Sequence, residues 1–199
     1  MGNELAFYNF LKVVAARTGQ ELNMSDIANS LDISLNTVKS WLSVLQTSGV
    51  IYLLQPYYEN VTKRIIKRPK LYFTDTGLCS YLTGWNTPET LSSGAMNGAI
   101  FETFVVTEIL KSYKHNGLNP SFYYYRDTNK VEIDLLIVEN GVFYPVEIKR
   151  TASPNKEMIK KFAVLDALGK KTAYGSLICM TDRVLPLTHT ANAISVWDI

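Results

Sequence analysis

The sequence predicts an α/β chain in two parts: an N-terminal winged helix-turn-helix and a C-terminal domain built on a β-meander. Three observations lead there: helical periodicity up to about residue 48, two β-rich segments flanking a basic stretch, and three strand-like runs in close order after residue 120. The 199 residues are 47% hydrophobic and 19% charged, enough apolar material for a core and too little charge for a disordered chain. No apolar run approaches the roughly 18 residues that a spanning helix requires, so no membrane partner is expected. The start MGNELAFYNF lacks a basic region followed by an apolar stretch, and Ala6 stands where a myristoylation signal wants Ser or Thr. A cytoplasmic location is expected. Cys79 and Cys179 lie far apart with no second thiol near either, and read as buried thiols rather than a disulfide framework or a zinc knuckle.

The first helix is expected over residues 4–17, where Phe7, Phe10, Leu11 and Val14 recur at helical spacing before Gly19. Ser25 is the expected cap of a short second helix carrying Ile27, Ala28 and Leu31. A tight turn then leads to Ser34, the expected cap of a third. That third helix has an inner stripe of Val38, Trp41, Leu42 and Leu45, with Asn36, Thr37, Lys39, Ser40 and Ser43 facing outward. Two helices across a short turn make a helix-turn-helix. VIYLLQPYY and KLYFTD then flank Lys63, Arg64, Lys67, Arg68 and Lys70, with Glu59 the one acid, as the strands of a wing would. In such a module Asn36, Thr37, Lys39 and Ser40 face a groove while Lys63, Arg64, Lys67 and Arg68 face phosphates. Docking of a protein partner is the alternative, because the outward face of the third helix offers only the cation Lys39.

Residues 1–84 are therefore assigned to the first domain and 85–97, rich in Thr, Ser, Gly, Asn and Pro, to a connector. Residues 98–199 form the second domain. Its first helix, GAIFETFVVTEILKSY, puts Glu102 beside the apolar stripe of Val105, Val106 and Ile109, unless it simply reaches solvent. SFYYYR, VEIDLLIV and VFYPVEIKR form the meander, the last two joined by the hairpin signal ENG. Alternation sets Glu132 and Asp134 on one face of the middle strand and Glu147 with Lys149 on one face of the next, so the hairpin can bring Asp134 close to Glu147. Neighbouring carboxylates repel unless a cation sits between them, and hard oxygen ligands suit Mg²⁺ or Mn²⁺. A lysine two residues beyond one ligand can orient the attacking water and offset charge developing on phosphorus. The alternative is a structural Lys–Glu pair on an exposed strand face.

Glu on a helix, Asp on a strand and Glu-x-Lys on the next strand is an order that resembles the PD-(D/E)xK nuclease superfamily. More closely, KRPKLYFTDTGLCSYLTG, GAIFETFVVTEIL, YYYRDTNKVEIDLLI and YPVEIKR resemble the uncharacterised C-terminal region of many bacterial and archaeal AAA-type ATPases. There a winged helix precedes a restriction-endonuclease-like domain with a central mixed sheet flanked by helices; the resemblance covers about residues 20–185. It implies Glu102 as the helix-borne acid, Asp134 and Glu147 as metal ligands and Lys149 as the catalytic lysine, with Glu132 near enough to share the strand acid's part. It also implies a nuclease acting on nucleic acid, DNA foremost, with an ATPase domain in cis or in trans. The rival is a module that only binds DNA or protein and regulates an ATPase. A homodimer would match the two strands of a duplex. A helix after the third strand is implied too, and SPNKEMIKKFAVLDALG supplies it, with Ser153 as cap and Gly169 as stop; its Lys156, Lys160 and Lys161 read as phosphate-binding groups or as surface charge. No P-loop occurs: LGKKT has Val164 where the first Gly should be and Lys171 where Ser or Thr should be. His115 and His189 lack a paired ligand at zinc spacing.

Overall fold

The computed structural model describes residues 2–58, 68–119 and 121–199. Over these the chain is a mixed α/β protein of seven α-helices and ten strands, and its backbone contacts divide it into two compact units. One unit comprises Met1–Leu53 and Arg68–Thr107, the other Leu54–Lys67 and Glu108–Ile199. No helix among the described residues is long and apolar enough to cross a membrane.

In the first unit, α1 (Gly2–Ala15), α2 (Met24–Leu31) and α3 (Leu35–Thr47) pack their apolar stripes on one another. Phe10, Val14, Ile27, Val38, Leu42 and Leu45 are buried, while Trp41 is half-buried and meets Phe7 and Phe10 edge-on at 5.3 and 5.2 Å. Ser34 caps α3 as expected, its hydroxyl accepting from the Thr37 backbone N–H. The α2 cap is Asn23, not Ser25: the Asn23 side chain accepts from Asp26 N and leaves Ser25 inside the first turn. Asp32 then takes a left-handed conformation, φ 52°, which turns the chain from α2 towards α3.

Strands β1 (Gln20–Glu21) and β3 (Lys70–Phe73) pair antiparallel in this unit, and β2 (Ile51–Pro56) begins there. After α4 (Thr76–Thr83), the stretch expected to be a connector contains a helix, α5 (Pro88–Ser93). Thr87 and Thr90 form a reciprocal capping box and Pro88 starts the helix, so local chemistry outweighs a loop-like composition. Helix α6 (Asn97–His115) follows.

The second unit is organised around a mixed sheet. Residues Gln55 and Pro56 of β2 pair in parallel with β4 (Ser121–Arg126), which pairs antiparallel with β5 (Glu132–Glu139). Strand β5 turns at Asn140 and Gly141, φ 50° and 76°, into antiparallel β6 (Val142–Ile148), the hairpin expected from ENG. From β6 a crossover reaches parallel β8 (Gly175–Cys179), beyond which lie parallel β10 (Ala191–Ser195) and antiparallel β9 (Leu185–Thr188). A two-residue strand, β7 (Lys171–Thr172), joins the start of β6. The crossover is not one helix: a 3₁₀ segment, Lys156–Phe162, capped by Asn155 instead of Ser153, leads into the five-residue α7 (Ala163–Ala167). Its Ile159 is buried against Leu177 and Ala193, so this segment covers one face of the sheet.

Candidate functional site

Alternation in β5 is apolar on both faces except at its start, and both faces are covered, so the interior acid Asp134 is 4% exposed. Glu147, near the end of β6, is fully buried at 0%. Leu135 pairs with Val146, and continuing that register by one residue sets Asp134 opposite Glu147 on a common face. The Ile148 N–H donates to Asp134 Oδ2 at 2.9 Å, which fixes that carboxylate against the next strand. Lys149 follows β6 directly. Its Nζ lies 2.6 Å from Glu147 Oε1 and 3.7 Å from Asp134 Oδ2, between the two acids, with 45% of the side chain exposed.

A fourth charge completes the group. Lys161, from the 3₁₀ segment over the sheet, brings its Nζ to 2.7 Å from Glu147 Oε2. Each oxygen of Glu147 thus faces one ammonium. Burial first, and the Asp134 carboxylate second, push Glu147 up to about 7 against the opposing pull of Lys149 and Lys161. The donor set suits a divalent ion: Asp134 and Glu147 are hard carboxylate oxygen donors on adjacent strands. Among the described residues no cluster of three or more His, Cys, Asp or Glu side chains converges, so the acids there number two.

The other expected residues fall elsewhere. Glu102 belongs to the first unit, where Lys70 Nζ lies 3.0 Å from its Oε1 and the Tyr72 hydroxyl donates to the same oxygen at 2.7 Å. Lys70 and Tyr72 are alternate residues of β3 and both are buried. Lys70 therefore does not belong to a solvated basic ribbon; it neutralises Glu102. Glu132, at the start of β5, pairs with Arg126 across the strands at 3.6 Å. On α3, Asn36, Lys39 and Ser40 are exposed, whereas the Thr37 hydroxyl sits 2.8 Å from that of Ser34 inside the cap. Of the wing cations Arg68 is described and exposed, and Lys63, Arg64 and Lys67 lie outside the described residues. The sequence reads Lys161, with Lys156 and Lys160, as a phosphate-binding group or as surface charge and does not single it out; the signal for it is its place in a segment whose Ile159 faces the sheet.

Comparison with known proteins adds kinship. Residues 2–89 match a family model described as Domain of unknown function (DUF8612), and residues 97–199 match Domain of unknown function (DUF4143). Similar curated proteins are Uncharacterized protein Rv2008c of Mycobacterium tuberculosis and Uncharacterized protein Mb2031c of Mycobacterium bovis. Each is 30% identical over 176 residues, which is 88% of this chain and 38% of the relative. The chain thus spans little more than a third of the length of the curated relatives it matches. No solved structure matches it significantly. With more than half of its length under one family model, the chain belongs to the family described as Domain of unknown function (DUF4143).

Proposed function

We propose that this chain is a divalent-metal-dependent nuclease that hydrolyses nucleic-acid phosphodiesters, DNA foremost. The observation that carries the reading is the Asp134–Glu147–Lys149 group: two buried acids on adjacent strands with an ammonium between them. The order of these residues matches the PD-(D/E)xK pattern, and the mixed sheet with its covering crossover suits a restriction-endonuclease-like domain. Asp134 and Glu147 would hold Mg²⁺ or Mn²⁺. When bound, such an ion supplies Lewis-acid polarisation of a phosphoryl oxygen and lowers the pKa of a coordinated water. Lys149, half-exposed beside both acids, orients the attacking water and offsets negative charge developing on phosphorus. Ile148 N–H holds Asp134 in place for that task. Glu102, the helix-borne acid of that pattern, is held by Lys70 and Tyr72 within the first unit.

The helix-turn-helix of α2 and α3, with its exposed Asn36, Lys39 and Ser40, is assigned to holding the substrate as a winged helix. The resemblance to the C-terminal region of AAA-type ATPases is the ground for proposing an association with such an ATPase domain in cis or in trans, in the cytoplasm. One observation favours a second reading, a non-catalytic module that regulates such an ATPase through DNA or protein contacts: the four site charges cancel among themselves. The discriminating experiment is a cleavage assay on single-stranded, duplex and branched DNA and on RNA, with Mg²⁺ or Mn²⁺ against EDTA. Metal-dependent cutting that Asp134→Ala loses is expected. Cutting that survives both EDTA and Asp134→Ala would sink the nuclease site, and no cutting of any substrate would transfer the site to the regulatory reading.

A further inference from the structure

The Glu147 quartet has a feature that the nuclease reading does not use. With all four groups ionised, two carboxylates and two ammonium groups sum to zero charge, and Glu147, which both lysines contact, is fully buried. Adding a divalent ion to the intact quartet would leave two uncompensated positive charges in a poorly hydrated place, which costs far more than exchanging one cation for another. One lysine must therefore withdraw.

The two lysines are not equally able to do so. Lys149 continues β6, its backbone N–H donates to Ile178 O at 3.0 Å, and its side chain touches both acids. Lys161 ion-pairs with Glu147 alone among the described residues and is carried by a seven-residue 3₁₀ segment, a form whose hydrogen bonds are poorer than those of an α-helix. A cleft of about 530 Å³ borders that segment, lined by its Lys156, Ile159, Lys160 and Phe162 together with Pro145 and Gly175; Lys161 itself is not in its lining. The segment thus has open space beside it.

We propose that Lys161 is a built-in counter-cation: its ammonium holds one oxygen of Glu147 in the metal-free protein and gives way when a divalent ion binds at Asp134 and Glu147. The inference rests on the metal site proposed above. Released from Glu147, Lys161 carries its charge to the mouth of the site beside Lys149, where an incoming phosphate would meet it. The 156–162 segment then reports whether the site holds metal.

The test is Mn²⁺ titration calorimetry on the full chain, comparing wild type with Lys161→Met and Lys161→Arg. Lys161→Met removes the competing charge at similar length and is expected to bind Mn²⁺ on the order of tenfold more tightly, whereas Lys161→Arg should stay near wild type. Lys161→Met binding Mn²⁺ equally or more weakly than wild type would overturn the inference while leaving the metal site standing. No binding by either protein would instead remove the metal site, and this inference with it. Should Lys161→Met not fold, amide exchange on the wild type decides. Exchange across residues 156–162 should speed up when Mn²⁺ is added, and unchanged or slower exchange would contradict the proposal.

Discussion

Removing the charge at Glu147 should change how stability depends on pH. Its carboxyl titrates near 7 in the folded chain against an ordinary value of 4.5, so between those values the native state binds a proton that the unfolded state has lost. The stability linked to this proton is full below about pH 4.5 and is lost as pH rises through 7. Metal-free protein should therefore weaken over that window in urea melts, and Glu147→Gln should flatten the decline; an unchanged slope would show that Glu147 does not titrate there. At Glu102 the expectation is structural. Glu102→Ala leaves the Lys70 ammonium buried without this partner, which typically costs about 3–5 kcal/mol, and should leave Mn²⁺ affinity untouched. Loss of Mn²⁺ binding in a folded Glu102→Ala protein would place Glu102 back among the ligands. Asp134, Glu147 and Lys149 are legible in the sequence because acids break the apolar alternation of two strands. The pairing of Lys70 with Glu102 and of Lys161 with Glu147 is not, since each lysine arrives from another segment that no local pattern links to its acid.

At the level of elements, local chemistry explains where the reading succeeds. Ser34 before the α3 stripe and Asn140-Gly141 between two apolar runs are complete local instructions, and both elements form as read. Ser34→Ala should cost about 1 kcal/mol in thermal melts by removing the cap, with Ser25→Ala nearly silent because Asn23 is the cap of α2. A Ser25→Ala destabilisation as large as that of Ser34→Ala would refute the cap assignment. The crossover illustrates the opposite case: residues 155–169 carry helical composition, yet the 3₁₀ segment and α7 share them, a division made by tertiary packing and not by propensity. Gly175 is part of that packing. A methyl group there would come within 2.8 Å of the Phe162 ring, so Gly175→Ala should destabilise the crossover and expose the 156–162 segment to proteolysis.

For the whole molecule, the division into two units departs from a simple cut along the sequence, because β2 and α6 each contribute to both. Sequence order shows where elements begin, but not that β2 passes from the first unit to the second after Leu53, since that exchange is set by the long-range pairing of Gln55 and Pro56 with β4. The buried thiols fit this two-core organisation. Burial raises Cys79 to about 12 and raises Cys179 as well, so neither should react with alkylating reagents at pH 8 until the chain unfolds. Rapid labelling of one thiol under native conditions would show that its unit opens independently. Nucleic-acid engagement also belongs to this scale: replacing Arg68 together with Lys63, Arg64 and Lys67 should lower the salt slope of DNA binding by roughly 0.9 for each phosphate that is no longer neutralised. The most direct test of the central claim is Lys149→Ala, read for both cleavage and substrate binding in Mn²⁺. On the proposed reading, loss of cleavage with binding largely retained is expected, because Lys149 would act on the reacting phosphate. Full cleavage by clean Lys149→Ala protein would contradict the assignment of this site as a nuclease centre.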